Sequence, residues 1–268
     1  MKILIYSDNV SANHVLYYSL GKLRGKQGIY FVNANEILAG ALDADINLFV
    51  MPGGASRYKA AKLNGEANRR IKDYVAQGGR YLGICAGAYM ACETTHWAKD
   101  QPYEIVTQNE LSFFPGLAKG PVEAFGRGDS YNGTAPRLVE IELAESGFAS
   151  PNPLCFKSLY IGGCVFEKRA ETRAEPSAES SIEPNDETGF QVLARFSELP
   201  DKPAAIVSGE HGQGRWLLCS PHPEYDHEAL QLLAFDVVGN DYSGFNAIGA
   251  SAKLDLSLLD YLLNTLER

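Results

Sequence analysis

The chain has 268 residues, 45% of them hydrophobic and 21% charged, which suits a globular α/β domain with insertions. Its net charge is −9 with no basic run, which argues against nucleic-acid and anionic-membrane partners. The stretch Met1–Asp8 turns polar too early for a signal peptide, and no apolar run approaches the roughly 18–20 residues of a membrane span.

In chain order, Lys2 to Ser7 reads as a short buried strand. Ser11 can cap a helix with Leu16, Leu20 and Leu23 at i, i+4 and i+7. Ile29 to Val32 is a second strand, and Asn47 to Met51 a third, stopped by Pro52-Gly53-Gly54. Asn64 opens a helix with Ala67, Ile71, Tyr74 and Val75 on one face, ended by Gly78-Gly79. Arg80 to Ile84 is a fourth strand, and Ala86 to Cys92 starts the next helix. Short strands alternating with helices predict βαβ units and a parallel sheet. Sites in such sheets form beyond the C-terminal ends of the strands. Asp8, Gly53-Gly54 and Cys85 all fall there.

The second half changes character. Segments near 103–106, 137–143, 159–166, 190–196 and 204–219 read as strands joined by turns. Residues 167–188 are polar and poor in apolar side chains, and are expected to form a mobile surface insertion. Asp226 can cap a helix carrying Leu230, Leu233, Ala234 and Val237, and Leu254 to Leu263 is a last amphipathic helix.

The five cysteines (85, 92, 155, 164 and 219) are odd in number, irregularly spaced and without a CxxC pair. Neither a disulfide framework nor a structural zinc site is expected, and a reducing cytoplasm is the simplest location. Cys85 stands apart. It lies in Gly83-Ile84-Cys85-Ala86-Gly87 between a strand and a helix, the pattern of a nucleophile elbow. There the side chain projects above the sheet, and the helix N-terminus favours a thiolate. The amide of Ala86 becomes one oxyanion-hole donor. The alternative is a buried cysteine beside turn glycines.

A thiolate nucleophile wants a histidine near it in space. His14 and His227 fall in helix patterns, His96 follows the elbow helix, and His211 sits at a hairpin turn. His222 follows the apolar strand Arg215 to Cys219 and precedes Pro223-Glu224. Proline biases His222 to an extended conformation, so His222 and Glu224 can point together. The carboxylate can hold one imidazole nitrogen while the other faces Cys85. Gly53-Gly54 can turn an N–H inward as the second oxyanion donor. Other pocket candidates are Asp8, Arg57 and Tyr58 after the Gly-Gly loop, Ser112-Phe113-Phe114 as lid or core, and Gly162-Gly163 as close approach or bulge.

These pieces resemble the class I glutamine amidotransferase-like superfamily. They are more closely similar to the amidotransferase-like N-terminal region of biotin–protein ligases and its stand-alone bacterial relatives. The closer likeness rests on Pro52-Gly53-Gly54-Ala55 with Tyr58, on Gly79 through Tyr89, on Glu110-Leu111-Ser112-Phe113-Phe114-Pro115-Gly116, and on Tyr160 through Phe166. The resemblance implies a flavodoxin-like three-layer α/β fold, mostly parallel, with a β-rich insertion in the second half, as one domain over 1–268. It implies Cys85 as nucleophile, His222 as base, Glu224 as its orienting partner, and the Gly54 and Ala86 amides as the oxyanion hole. Asp8, Gly53, Arg57, Tyr58, Tyr89, Ser112, Phe113 and Gly163 are, by their placement, candidates to line the substrate pocket, with a helix cap for Asp8 and a surface guanidinium for Arg57 as the alternatives. No cofactor or metal is implied. The implied partner is a small amide or acyl substrate, and a protein partner or homo-oligomer is left open. Glutamine-using members usually carry Gln four residues after the cysteine; Tyr89 stands there instead. A binding or regulatory module of the same fold, and a peptidase-like hydrolase, are the alternative readings.

Overall fold

A computed structural model describes residues 1–8, 13–43, 45–125, 136–144, 154–168, 189–230 and 254–268. The first four strands are β1 (Ile3–Tyr6), β2 (Ile29–Val32), β3 (Leu48–Met51) and β4 (Arg80–Ile84). β1 pairs parallel with both β2 and β3, and β3 pairs parallel with β4. β13 (Gly214–Cys219) completes this block, parallel to β4 with Cys219 opposite Ile84. The order β2-β1-β3-β4-β13 is therefore wholly parallel.

Side chains of a strand alternate between faces, and both faces here are covered. From β1, Leu4 and Tyr6 enter one core and Ile3 and Ile5 the other. The first core packs against α2 (Ala34–Leu38), α3 (Ser56–Leu63), α4 (Glu66–Ala76) and the short α5 (Ala86–Met90). The second packs against α1 (Asn13–Arg24) and α6 (Ser257–Glu267). This is the expected three-layer α/β sandwich. No helix among the described residues is long and apolar enough to cross a membrane.

Beyond β13 the sheet turns mainly antiparallel. β12 (Ala204–His211) forms a hairpin with β13, its last pair being His211 with Gly214. β10 (Val165–Lys168), β7 (Phe114–Gly120), β5 (Cys92–Trp97) and β6 (Ile105–Gln108) continue the path. β11 (Phe190–Phe196), β8 (Arg137–Leu143) and β9 (Cys155–Tyr160) branch from β12.

Several local expectations shift. The elbow helix stops at Met90, not beyond Cys92, because Cys92–Trp97 is a strand paired with β6 and β7. α3 precedes the helix expected from Asn64, which itself begins at Glu66. β10 runs through Glu167 and Lys168, so these two belong to the sheet; 169–188 lie outside the described residues. Ser11, proposed as a cap, also lies outside them. Asp226 Oδ1 accepts from the N–H of Ala229 at 2.7 Å, the bond expected of a cap; Leu233, Ala234 and Val237 of the helix expected there lie outside the described residues.

Candidate active site

Parallel pairing brings the C-terminal ends of β1, β3, β4 and β13 to one edge. Asp8, Gly53-Gly54, Cys85 and His222 follow those ends. The turn at Cys85 is sharp: φ 49° and ψ −107°, a conformation that costs energy for a residue with a Cβ. The strand-to-helix reversal fits only because its neighbour is glycine. A Cβ on Gly87 would stand 2.0 Å from the carbonyl oxygen of Met51. The Cys85 N–H donates to the carbonyl of Cys219 at 2.9 Å, tying the elbow to the strand that leads to His222. The N–H of Ala86, first residue of α5, precedes any intrahelical bond.

His222 is anchored through its backbone. Its N–H donates to the carbonyl of Leu159 at 2.7 Å, at the end of β9. Its Nδ1 lies 2.8 Å from Glu224 Oε1, with both side chains buried. Ser19 Oγ in α1 donates to the Glu224 carbonyl at 2.6 Å, which locks that segment against the helix. The opposite ring edge of His222 faces the Gly-Gly loop and the elbow. A Cβ on Gly53 would be 2.6 Å from His222 Cε1, 3.5 Å from Nε2 and 3.6 Å from Cys85 Cβ. Burial opposes charge on this imidazole. The Glu224 carboxylate outweighs it, helped by the charge and hydrogen bond of Cys85, and raises His222 to about 10. The imidazolium is the favoured form at neutral pH.

Cys85 is 7% exposed. Besides His222, its Sγ reaches the carbonyl of Ile161 at 3.5 Å, in the loop between β9 and β10. That loop is pinned: Tyr89 Oη donates to the Gly162 carbonyl at 3.1 Å, and Tyr160 Oη to the Gly163 carbonyl at 2.9 Å. Gly163 is pressed against the lead-in to His222, since a Cβ there would be 2.4 Å from Ser220 Oγ. Tyr89 therefore lies beside the site as a buried prop of its wall.

Other sequence candidates are engaged in contacts of their own. Asp8 Oδ2 accepts from the Ala34 N–H at 2.7 Å and the Tyr6 hydroxyl at 3.3 Å, and so fastens the start of α2. Arg57 stacks over the exposed Tyr58 ring at 4.7 Å and donates to its hydroxyl. Phe113 packs against Tyr81 and His211, at the end of β4 and β13 opposite Cys85. It is core, not lid. Ser112 Oγ is taken up locally by the Asn109 carbonyl at 2.6 Å.

Two features had no side-chain signal or a misleading one. The Ile161 carbonyl is backbone and invisible to residue type. Lys59 is the other. It is fully buried in α3, and its Nζ donates to the Gly53 carbonyl. Burial lowers it to about 8, although the charge of Cys85 works in the opposite direction. The available signal was periodicity: Lys59 and Leu63, at i and i+4, are the two buried positions of that helix. Among the described residues no group of three or more His, Cys, Asp or Glu side chains is placed to hold a metal ion.

Comparison with known proteins agrees with this architecture. The family model described as "Biotin-protein ligase, N terminal" matches residues 1–267. A Chlamydia muridarum protein (strain MoPn / Nigg), named only as uncharacterized, is 32% identical over 245 residues, covering 88% of this chain and 85% of its own length. The biotin–protein ligase of Schizosaccharomyces pombe is 27% identical over 239 residues, covering 87% of this chain. The match spans only 35% of that ligase. Among solved structures, a glutamine amidotransferase from Thermotoga maritima superposes with a TM-score of 0.50 at 10% identity, covering 100% of this chain and 96% of its own.

Proposed function

Since the chain belongs to the biotin–protein ligase N-terminal family and has a glutamine amidotransferase-like fold, we propose that it is a cysteine-dependent amidase of small amide or related acyl substrates. The observation that carries this reading is the buried His222–Glu224 pair directed at the elbow cysteine.

In this mechanism His222 holds the proton from the start, paired with the Cys85 thiolate, and the thiolate attacks the acyl carbon. The carbonyl π pair moves onto oxygen, and the oxyanion is received by the N–H groups of Gly54 and Ala86. The intermediate collapses, the C–N bond breaks, and the leaving amine takes its proton from His222. Water, deprotonated by the same imidazole, then hydrolyses the thioester. Glu224 holds the ring orientation throughout. Tyr89 supports a substrate other than glutamine, because a phenol bonded to Gly162 stands where glutamine-using relatives carry an amide side chain.

The test is acylation with p-nitrophenyl acetate. The expected result is a burst of nitrophenolate and an acetyl thioester on Cys85, found by peptide mass spectrometry. The adduct should be absent from Cys85→Ala; in His222→Ala it should form slowly and, once formed, persist. The same burst from Cys85→Ala would sink the proposal. The low exposure of Cys85 and its contact with the Ile161 carbonyl favour a second reading, a binding or regulatory module without turnover. In that case Cys85 acylates no faster than the buried Cys92.

A further inference from the structure

A lysine with no exposed surface, unlike the buried His222 and Glu224, which pair with each other, needs an explanation. Lys59 is such a residue. Burying an ammonium is unfavourable unless its hydrogens are satisfied by charge or by strong acceptors. Among the described residues no carboxylate lies within ion-pair distance of it; its hydrogen-bond acceptor is the main-chain carbonyl of Gly53. Leucine or methionine would fill the same space in α3 beside Leu63 at less cost. What an apolar side chain cannot do is grip that carbonyl.

The grip has a geometric consequence. In a trans peptide the C=O and the following N–H point in opposite directions. Holding the Gly53 oxygen therefore fixes the direction of the Gly54 N–H. Without a hold, a peptide between two glycines turns over readily, because neither residue has a Cβ to restrict it. Gly54 uses that freedom, at φ 105°. The loop so held lies directly against the site: the α-carbon of Gly53 abuts the His222 ring and Cys85. Lys59 is close enough to Cys85 to feel its charge.

We propose that Lys59 is a positioning residue: its ammonium clamps the Gly53 carbonyl and thereby aims the Gly54 N–H at the oxygen that becomes negative on acylation of Cys85. This rests on the thioester reading given above. Lys59 touches neither substrate nor the reacting atoms; it acts through one peptide plane.

An aldehyde separates this role from general stability. The Cys85 sulfur adds to the carbonyl carbon of a ¹³C-labelled propanal, forming a C–S bond. The π pair becomes an alkoxide, and the proton held by His222 passes to the oxygen. The thiohemiacetal depends on the oxyanion hole. Alkylation of the same sulfur by iodoacetamide develops no oxyanion and does not. In Lys59→Met, propanal capture measured by ¹³C NMR should weaken by about tenfold to a hundredfold, while the fraction of Cys85 alkylated at a saturating dose stays the same. Lys62→Met, an exposed lysine of the same helix, should match the unaltered protein. Capture by Lys59→Met within twofold of the unaltered protein, or tighter, overturns the proposal.

The unaltered protein supplies a check that needs no variant to fold. On propanal capture the Gly54 amide proton should shift downfield while the Lys59 ammonium keeps its bond to Gly53. An unmoved Gly54 amide overturns the proposal. Absence of any capture by the unaltered protein overturns both the clamp and the thioester reading, whereas capture that ignores Lys59 overturns the clamp alone.

Discussion

At the scale of single residues, the site is built around absent Cβ atoms as much as around present side chains. Gly53 is the sharpest case. A methyl group there would come within 2.6 Å of His222 Cε1, and that ring is held from behind by Glu224 at 2.8 Å and by its own backbone bond to Leu159. The imidazole cannot retreat without breaking one of these. Gly53→Ala should therefore leave secondary structure intact and slow acylation of Cys85 by about 10²-fold, the scale of an ångström of misplacement. Stopped-flow measurement with p-nitrophenyl acetate checks this; an unchanged rate would mean that His222 does not act on Cys85. Most residues of the candidate site were legible from the sequence. Cys85 announces itself by flanking glycines, and His222 and Glu224 by the intervening proline. Lys59 was not, since lysine in a helix reads by default as a solvated residue. Only its fit to the buried stripe with Leu63 marks it out.

At the scale of elements, the elbow depends on how closely α5 can approach β3. Gly87 makes the contact, with its α-carbon against the Met51 carbonyl. Gly87→Ala forces the helix and strand apart, and should destabilise the protein by about 3 kcal/mol, as overpacking of a rigid backbone does. Urea unfolding followed by circular dichroism measures this, with the midpoint falling and the slope unchanged. The strands of the parallel block were legible because each is a short apolar run closed by a polar or glycine turn. β5 and β7 were not. β5 follows α5 after a single residue, so the helical pattern reads on into it. β7 begins Phe114-Pro115-Gly116, which reads as a turn. It is a strand because Pro115 is exposed and has no registered partner, while residues on either side pair with β5 and β10.

At the scale of the whole molecule, two buried bases near the same sulfur give opposite signs to the pH dependence of stability. His222 is raised from 6.5 to about 10, so its contribution is complete below pH 6.5 and is lost as pH rises toward 10. Lys59 is lowered from 10.5 to about 8, so the unfolded chain binds more protons between those values. Stability due to Lys59 therefore rises from pH 8 to 10.5, and its penalty is full below 8. Lys59→Met removes this second dependence. The unfolding free energy of the unaltered protein minus that of the variant should become more positive as pH rises from 8 to 10.5. Parallel curves in that window would mean that Lys59 is not buried as a cation.

The sequence by itself determined the elbow cysteine, the turn that presents it and the alternation of strand and helix around it. Each of these is local, set by a few neighbouring residues and their allowed dihedral angles. What only the tertiary structure decided is the meeting of distant parts. β13 docks parallel to β4 rather than pairing only with its hairpin partner β12, and so delivers His222 to the edge where Cys85 stands. α3 lies so that Lys59 ends on the Gly53 carbonyl. The physical reason is that strand neighbours and helix rotations are chosen by burial over the whole sheet, and a local apolar pattern states that a face must be covered without stating by what.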